Sequence, residues 1–556
     1  MYAGSVDNSS ILNSVAQEVA NECKGLPVAI VAVGISLGGK ILDEWKIALK
    51  RLRESKPIDI EEEDYEIGVE DLVRHGKGIW GDVDSLEETR SQVLVAINNL
   101  IDSSLLLCVD ETKCVRMHDL VRDVVLWVAS KEDHRAMVNP QKDLKALSED
   151  ETTRDCTAIS LWNQNIDKLP DRLECPPKLE TFLLSNMLLL ELPDLFFEGM
   201  QELKVLDLRK TASRWTLLLP QSIQLLTNLR CLRLRGWDLD DISILTSLKR
   251  LEILELCFCS LNELPNGIIK LDKLKLLDLS VPKPLKSFPK MCWSLSQDCK
   301  GYSISRSLYV TSFDTSTPNT SSIKKLIQRA ENLCLRKLQS CKNIIPNMDT
   351  QLKGMNDLIV LMLDSCSEME CLIDTTSTTV SSFQVAAVYA FSNLVILRLS
   401  HMHDFVELYH GPTPQCFLEK LEEIHLSYCP GLSSILFPRK LNLCSLKVME
   451  VEYCEQLTSL FPLSVARTLV QLEKLKNKIE IVFPALERLI LQFLPNCESI
   501  CPENYHAEWP SLQKSATYVD MHISSKNGQQ EPDLKTRQCT SSHGIQMSLG
   551  SALVFK

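Results

Sequence analysis

The chain has 556 residues, 45% of them hydrophobic, and a net charge of -13. That length suits several ordinary domains, or one small domain followed by an array of repeats. The acidic balance excludes nucleic acid as the main partner, because phosphate binding needs a basic face.

Met1 to Ser14 is polar and lacks the basic n-region and apolar core of a signal peptide. The longest apolar run, Leu26 to Leu37, contains Pro27 and Gly34 and is too short to span a bilayer. A cytoplasmic protein with no transmembrane segment is therefore expected. Residues 11 to about 56 are predicted helical: Val15, Val19 and Cys23 lie on one stripe, and Gly25 and Pro27 act as stop and restart signals.

Within that stretch Gly34-Ile-Ser-Leu-Gly38-Gly39-Lys40 satisfies G-x-x-x-x-G-K, and Leu105 to Glu111 imitates the strand and acid of a magnesium site. A phosphate loop needs Ser or Thr after the lysine to ligate magnesium, and this chain has Ile41. Pro27 suits a helix start rather than the strand such a loop follows. Residues 1–130 are also too few for a parallel-sheet NTPase core. The structural reading is preferred.

An acidic junction occupies 57–68, including Glu61, Glu62, Glu63 and Asp64. A second helical unit begins near Val83, where Ser85 and Glu88 form an S-x-x-E capping box and Val93, Ala96, Ile97, Leu100 and Ile101 follow at helical spacing. Leu105 to Val109 and Cys114 to Met117 flank Asp110 to Lys113 as a β-hairpin. A helix from His118 to Ser130 then presents Leu120, Val121, Val124, Val125 and Val128. Helix, hairpin and helix of this size predict a winged-helix unit. Residues 131–155, polar and charged, read as a linker.

From about 156 to 510 a phrase recurs: Leu203-Lys-Val-Leu206-Asp-Leu208, then the same L-x-x-L-x-L core from Leu229, Leu251 and Leu274. These starts are 26, 22 and 23 residues apart, and the pattern resumes at Leu358, Leu394, Leu421, Leu446 and Leu486. That is the period of leucine-rich repeats, whose single units bury a core only by stacking. The predicted fold is α/β: a leucine-rich-repeat solenoid (horseshoe) preceded by a small helical, winged-helix-like module. Residues 280–330 fit the repeat poorly. Residues 511–556 lose all periodicity and are expected to be disordered.

The 21 cysteines include no C-x-x-C pair. Cys259, Cys366, Cys429 and Cys454 fall three residues after a repeat core, where Cys or Asn turns inward and satisfies backbone groups. N-x-S/T at Asn8 and Asn319 is read as chance. No G-x-S-x-G elbow or H-E-x-x-H spacing marks an enzyme or metal site, and His401 and His403 are placed beside a repeat strand. With the leucines inward, the residues between them face the binding surface: Arg209, Arg233, Arg235, Glu255, Phe258, Asp278, Met362, Asp364, Arg398, His425, Tyr428, Glu450 and Tyr453. Arginine, aromatic and acidic residues in that mixture suit a protein partner.

Cys23-Lys-Gly25-Leu-Pro27-Val-Ala-Ile resembles the GLPLA segment, and Arg116-Met-His118-Asp119-Leu-Val the MHD motif, of plant nucleotide-binding leucine-rich-repeat disease-resistance proteins of the coiled-coil class. Glu63-Asp-Tyr-Glu-Ile67 matches a further phrase of that family. The resemblance covers roughly residues 11–510. It implies that residues 1–56 are a helical remnant of the NB-ARC module and 57–130 a winged-helix-like unit ending in the MHD motif. It implies an immune receptor in which ADP holds a switch closed and exchange opens it, with Pro27 near the adenine and His118 near the phosphate; a helix N-terminus suits an anion.

No coiled-coil domain, Lys-Ser/Thr phosphate loop, acidic ATPase strand or arginine sensor is found, so the chain reads as a truncated, internally deleted member. No cofactor is expected in it, although ADP and ATP serve the full-length family. Its expected partners are proteins: a pathogen effector, a guarded host protein or its own switch module. The alternative is a repeat-only protein-binding scaffold or a non-functional gene remnant; removing residues 1–130 discriminates, since only a regulator loses its effect.

Overall fold

The computed structural model describes, with gaps of at most five residues, residues 10–23, 30–54, 66–109, 114–117, 121–122, 136–138, 156–161, 169–280, 302–348, 355–376, 390–411, 418–433, 445–458, 479–494, 505–508, 516–519 and 537–539. The chain forms two compact units. One comprises 1–262 with 270–276 and 283–305, and the other 263–269 with 277–282 and 306–556.

In the first unit α1 (Ser10–Glu22) and α2 (Leu42–Glu54) pack together. Val15, Val19 and Cys23, one stripe of α1, are buried against Val33, Leu37, Trp45, Ala48 and Leu49. Arg53 ties the helices at their surface, reaching Glu18 at 2.7 Å and Glu22 at 2.9 Å. Exposed pairs of this kind contribute little, so the apolar stripe carries the association.

Next come β1 (Glu66–Gly68), α3 (Val69–Ile79), α4 (Leu86–Asp102), β2 (Leu106–Val109) and β3 (Cys114–Met117). The three strands form an antiparallel sheet in the order β1-β3-β2, with Ile67 opposite Val115 and Cys108 opposite the same residue. Ser85 caps α4 as its spacing predicts, its hydroxyl accepting from the Glu88 amide at 3.0 Å. Two helices, a hairpin and a third strand make up this region, and the hairpin falls where the sequence places it. Val121 and Arg122 are helical, and the rest of the expected 118–130 helix lies outside the described residues. Helix α3 is the addition: composition predicts only an acidic junction before Val83.

The repeats follow as parallel strands: β4 (Ala136–Val138), β5 (Ala158–Leu161), β6 (Thr181–Met187), β7 (Val205–Lys210), β8 (Cys231–Arg235) and β9 (Ile253–Cys257). Identical positions align across rungs, so Leu206, Leu232 and Leu254 stack, as do Leu208, Leu234 and Leu256, all of them fully buried. Each fully buried leucine contributes about 1.5–3 kcal/mol, and no single rung encloses its own. The expected linker 131–155 thus contributes a strand, because the apolar triplet Ala136-Met137-Val138 pairs with the edge of β5. Leu276–Leu279 (β10) lies where the chain passes between the two units.

The second unit continues with β11 (Ser307–Thr311), β12 (Asn332–Arg336), β13 (Val360–Asp364), β14 (Ile396–Ser400), β15 (Glu423–Ser427), β16 (Val448–Glu452) and β17 (Arg488–Gln492). All pair in parallel and in register. A short helix, Ser321–Ile327, forms the return of the β11 repeat, which explains why 280–330 reads poorly as a leucine repeat. Two strands, Ala516–Val519 and Arg537–Cys539, fall inside the segment expected to be disordered. Thr517, Tyr518 and Val519 of the first have strand propensity that the polar composition around them conceals.

The four repeat cysteines behave as their spacing predicts. Cys259 donates to the Leu234 carbonyl at 3.3 Å, Cys366 to Leu335 at 3.7 Å and Cys429 to Leu399 at 3.9 Å, while Cys454 reaches the Glu452 carbonyl at 3.5 Å. Burial pushes the Cys366 thiol up to about 12, so it stays a thiol and serves as a weak donor, with no nucleophilic role.

Candidate functional site

The outward face of β7, β8 and β9 in the first unit is covered by α3. The closest approach is at Gly78: a Cβ there would lie 2.5 Å from Cγ2 of Val205 and 2.9 Å from Cβ of Cys231. Real carbons do not approach so closely, so only glycine lets the helix reach the strands. Gly76, two residues earlier and so on the opposite side of the helix, faces Val93 of α4.

That approach brings two charged surfaces together. Arg233, 1% exposed, donates to Asp71 at 2.5 Å, to Glu255 at 2.6 Å and to Asp207 at 3.1 Å. Arg209 bridges Asp71 at 3.0 Å and Asp207 at 2.9 Å. Arg74 of α3 pairs with Glu255, and His75 of α3 sits 2.8 Å from Asp207. Three guanidiniums (Arg74, Arg209, Arg233) therefore meet three carboxylates (Asp71, Asp207, Glu255), so the buried charge is balanced. Lys77, fully buried, reaches Glu252 at 3.0 Å and the Val83 carbonyl, and Lys275 meets the same Glu252 at 3.1 Å.

Burial by itself would raise the carboxyls of Asp71, Asp207 and Glu255. The guanidiniums, Arg233 first, outweigh it and hold all three below the ordinary carboxylate range. Burial lowers the Lys77 ammonium, with Glu252 opposing it only in part. Glu70 on the other side of α3 pairs with the buried Arg90 of α4 at 2.8 Å, fixing the rotation of α3.

Of the residues singled out from the repeat pattern, Arg209, Arg233 and Glu255 come together here with groups that pattern could not indicate: Asp71, Arg74, His75 and Lys77. The local signal lies in Val69–Ile79 itself, which holds two glycines, four charged side chains and a histidine in eleven residues. A helix so rich in glycine is built for close approach. Arg235 and Phe258 pair with each other, the guanidinium carbon 4.4 Å from the ring centre.

In the second unit, Asp278 accepts from the Ser280 amide and hydroxyl, and Met362 is buried. Asp364 holds Arg336 at 2.6 Å, the Ser400 hydroxyl at 3.0 Å and His401 at 3.1 Å. Arg398 lies 3.6 Å from Glu423. His425 is held between Glu450 at 2.6 Å and Glu423 at 3.3 Å, and Arg488 pairs with Glu450 at 3.4 Å. Burial would lower His425, but both glutamates raise it above its ordinary value.

Beside these, His401, Tyr428, Tyr453 and Phe493 form a ladder with centroid spacings of 4.8, 4.3 and 4.2 Å and planes within 14° of parallel. Each is the first residue after its strand and has φ of 52–53°. The repeat imposes that left-handed turn, since Ser312, Lys337 and Ser365 share it. A bulky residue there costs about 1–2 kcal/mol, and stacking of about 0.5–1.5 kcal/mol per pair offsets much of that. The leucine spacing reveals Tyr428 and Tyr453; Phe493 is a missed member, recoverable by extending the strand-plus-one position.

Gly34 and Val33 are helical, Gly39 turns at φ +74°, and Lys40 lies 3.6 Å from Glu44 on the surface. These residues do not fit a phosphate loop, which needs a preceding strand and a lysine aimed inward. Pro27 and His118 lie outside the described residues. Among the described residues no group of three His, Cys, Asp or Glu side chains is placed to hold a metal, and no helix is long and apolar enough to cross a membrane.

A family model described as plant disease resistance protein RPS2-like, leucine-rich repeats, matches residues 438–480. A disease resistance protein of Arabidopsis thaliana is 26% identical over 611 aligned residues, covering 92% of this chain and 61% of the relative. Disease resistance protein RPS5 of the same plant is 26% identical, covering 80% and 56%. A probable disease resistance protein, also from Arabidopsis thaliana, is 30% identical over 268 residues, covering 42% and 29%. The chain spans about three fifths or less of the length of these curated relatives. Among solved structures, a leucine-rich-repeat protein of Leptospira interrogans is 20% identical with a TM-score of 0.30, covering 67% of this chain and 96% of that one. A PEPR1–AtPEP1 structure is 15% identical with a TM-score of 0.28, covering 69% and 74%.

Proposed function

We propose that this chain, whose homologues are plant disease-resistance proteins, is a defence-response protein that works by contact between proteins, its repeats clasping its own winged-helix-like unit in a closed state. The observation that carries this reading is the burial of Arg233 between Asp71 of α3 and Glu255 of the repeats. A surface used only as a rigid scaffold has no need to seat a helix on its outward face. A partner of the repeats, a pathogen effector or a guarded host protein, shifts the equilibrium by binding better to the unclasped form.

The helical segments before the repeats are the counterpart of a nucleotide-binding switch, and the clasp replaces nucleotide as what holds the closed state. Asp71, Arg74, His75 and Lys77 hold α3, Gly78 admits it, and Arg209, Arg233, Glu252 and Glu255 receive it. No step of this account passes through ADP. Isothermal titration with ADP is expected to give no micromolar binding, and tight binding contradicts it.

The functional test is transient expression in leaf tissue. Arg233→Asp is expected to change the defence output relative to the unaltered chain, and adding Asp71→Arg to restore it. Equal output from all three contradicts regulation by the clasp.

A further inference from the structure

We infer that the aromatic ladder of the second unit, with Glu452, is a docking surface for a basic, arginine-bearing extended segment of a partner protein. The inference rests on the reading that the chain acts by protein contact, and it names the chemistry of the partner.

The outward positions of β14 to β17 form columns, because the strands pair in register. One column, Arg398, His425, Glu450 and Ile490, has its charges paired within the face or with Glu423 and Arg488. The next column is Ser400, Ser427, Glu452 and Gln492, and the ladder runs along its edge. Ser400 is bonded to Asp364. Among the described residues the side chains of Ser427, Glu452 and Gln492 make no hydrogen bond or ion pair.

The Glu452 carboxylate thus makes no ion pair of its own, and His425, the cation acting on it, is already held between Glu423 and Glu450. Burial first and repulsion from Glu450 second raise its affinity for a proton, outweighing the opposing pull of His425, so an incoming cation is favoured there. Tyr428, 44% exposed, presents its ring to solvent beside it. The fold also supplies its own precedent. Phe258 occupies the same left-handed strand-plus-one position in an earlier repeat, and there the Arg235 guanidinium lies 4.4 Å from the ring centre. Four rungs suit roughly four residues of extended chain crossing the strands. The chain's net charge of -13 favours encounter with a basic partner.

The test uses the full chain and two labelled octapeptides, one alternating arginine and serine and one alternating glutamate and serine, followed by fluorescence anisotropy. The arginine peptide is expected to bind with salt-dependent affinity and the glutamate peptide not at all. Tyr453→Ala is expected to weaken binding at least tenfold and Glu452→Gln several-fold, while Tyr428→Phe, which keeps the stack, retains it. Glu370→Gln, on an exposed pair with Lys342, is the control and leaves affinity unchanged. Thermal melts separate loss of fold from loss of contact. Equal binding of both peptides, or unchanged affinity in both Tyr453→Ala and Glu452→Gln variants that melt like the unaltered chain, overturns the inference. Either result leaves the clasp intact, since protection of α3 is measured separately in the other unit.

Discussion

Arg233 is where sequence position, burial and charge meet. It stands between the core leucines Leu232 and Leu234, so the strand alternation turns its side chain outward, and α3 then seals it from water. A buried ion pair is weak evidence of net stability, but removing one member strands its partners. Arg233→Ala leaves Asp71, Asp207 and Glu255 with one cation fewer, and a loss of about 3–5 kcal/mol is expected in denaturant unfolding. Gly78 makes the complementary point about space. Gly78→Ala places a methyl against Val205 and Cys231 and is expected to cost about 1–3 kcal/mol, as overpacking does, and to release α3 from protection. A substitution at Gly39, which has nothing within 4 Å, meets no such wall, and only its φ of +74° resists.

At the scale of elements, α3 is held by charge, and charge depends on pH. The carboxyls of Asp71, Asp207 and Glu255 are depressed in the folded chain. Groups depressed on folding give stability that is present above their unfolded values, near pH 4, and lost as pH falls through the folded values. Docking of α3 is therefore expected to hold at neutral pH and to weaken below about pH 4, read as rising amide exchange across 69–79. His425 in the second unit runs the other way. Its folded value is raised, so the stability it contributes is full below about pH 6.5 and fades as pH rises through the folded value. Melts of the unaltered chain should lose stability on passing from pH 6 to pH 9, and His425→Gln should flatten that slope.

The repeat strands were legible in the sequence because one rule, leucines inward at a fixed spacing, decides them; Leu206, Leu232 and Leu254 need no other information. The capped helix α4 was legible for the same reason: its signal, Ser85 with Glu88, is local. Helix α3 was not, because its apolar content is small and its partners Asp207, Arg233 and Glu255 lie more than 130 residues away. The pattern picked out Arg209, Arg233 and Glu255 as a surface for a protein, and it is a helix of this chain that occupies them.

For the molecule as a whole, the comparisons place the chain among relatives longer than itself, and the proposed function rests on the clasp. The repeats and the segment that carries α3 are joined through opposite charges that a single substitution can invert. The account needs that joining to be specific. Hydrogen exchange of the full chain measures it most directly. The amides of α3 are expected to be protected in the unaltered chain, to lose protection in Arg233→Asp, and to regain most of it when Asp71→Arg is added. Protection that is the same in all three chains contradicts the clasp.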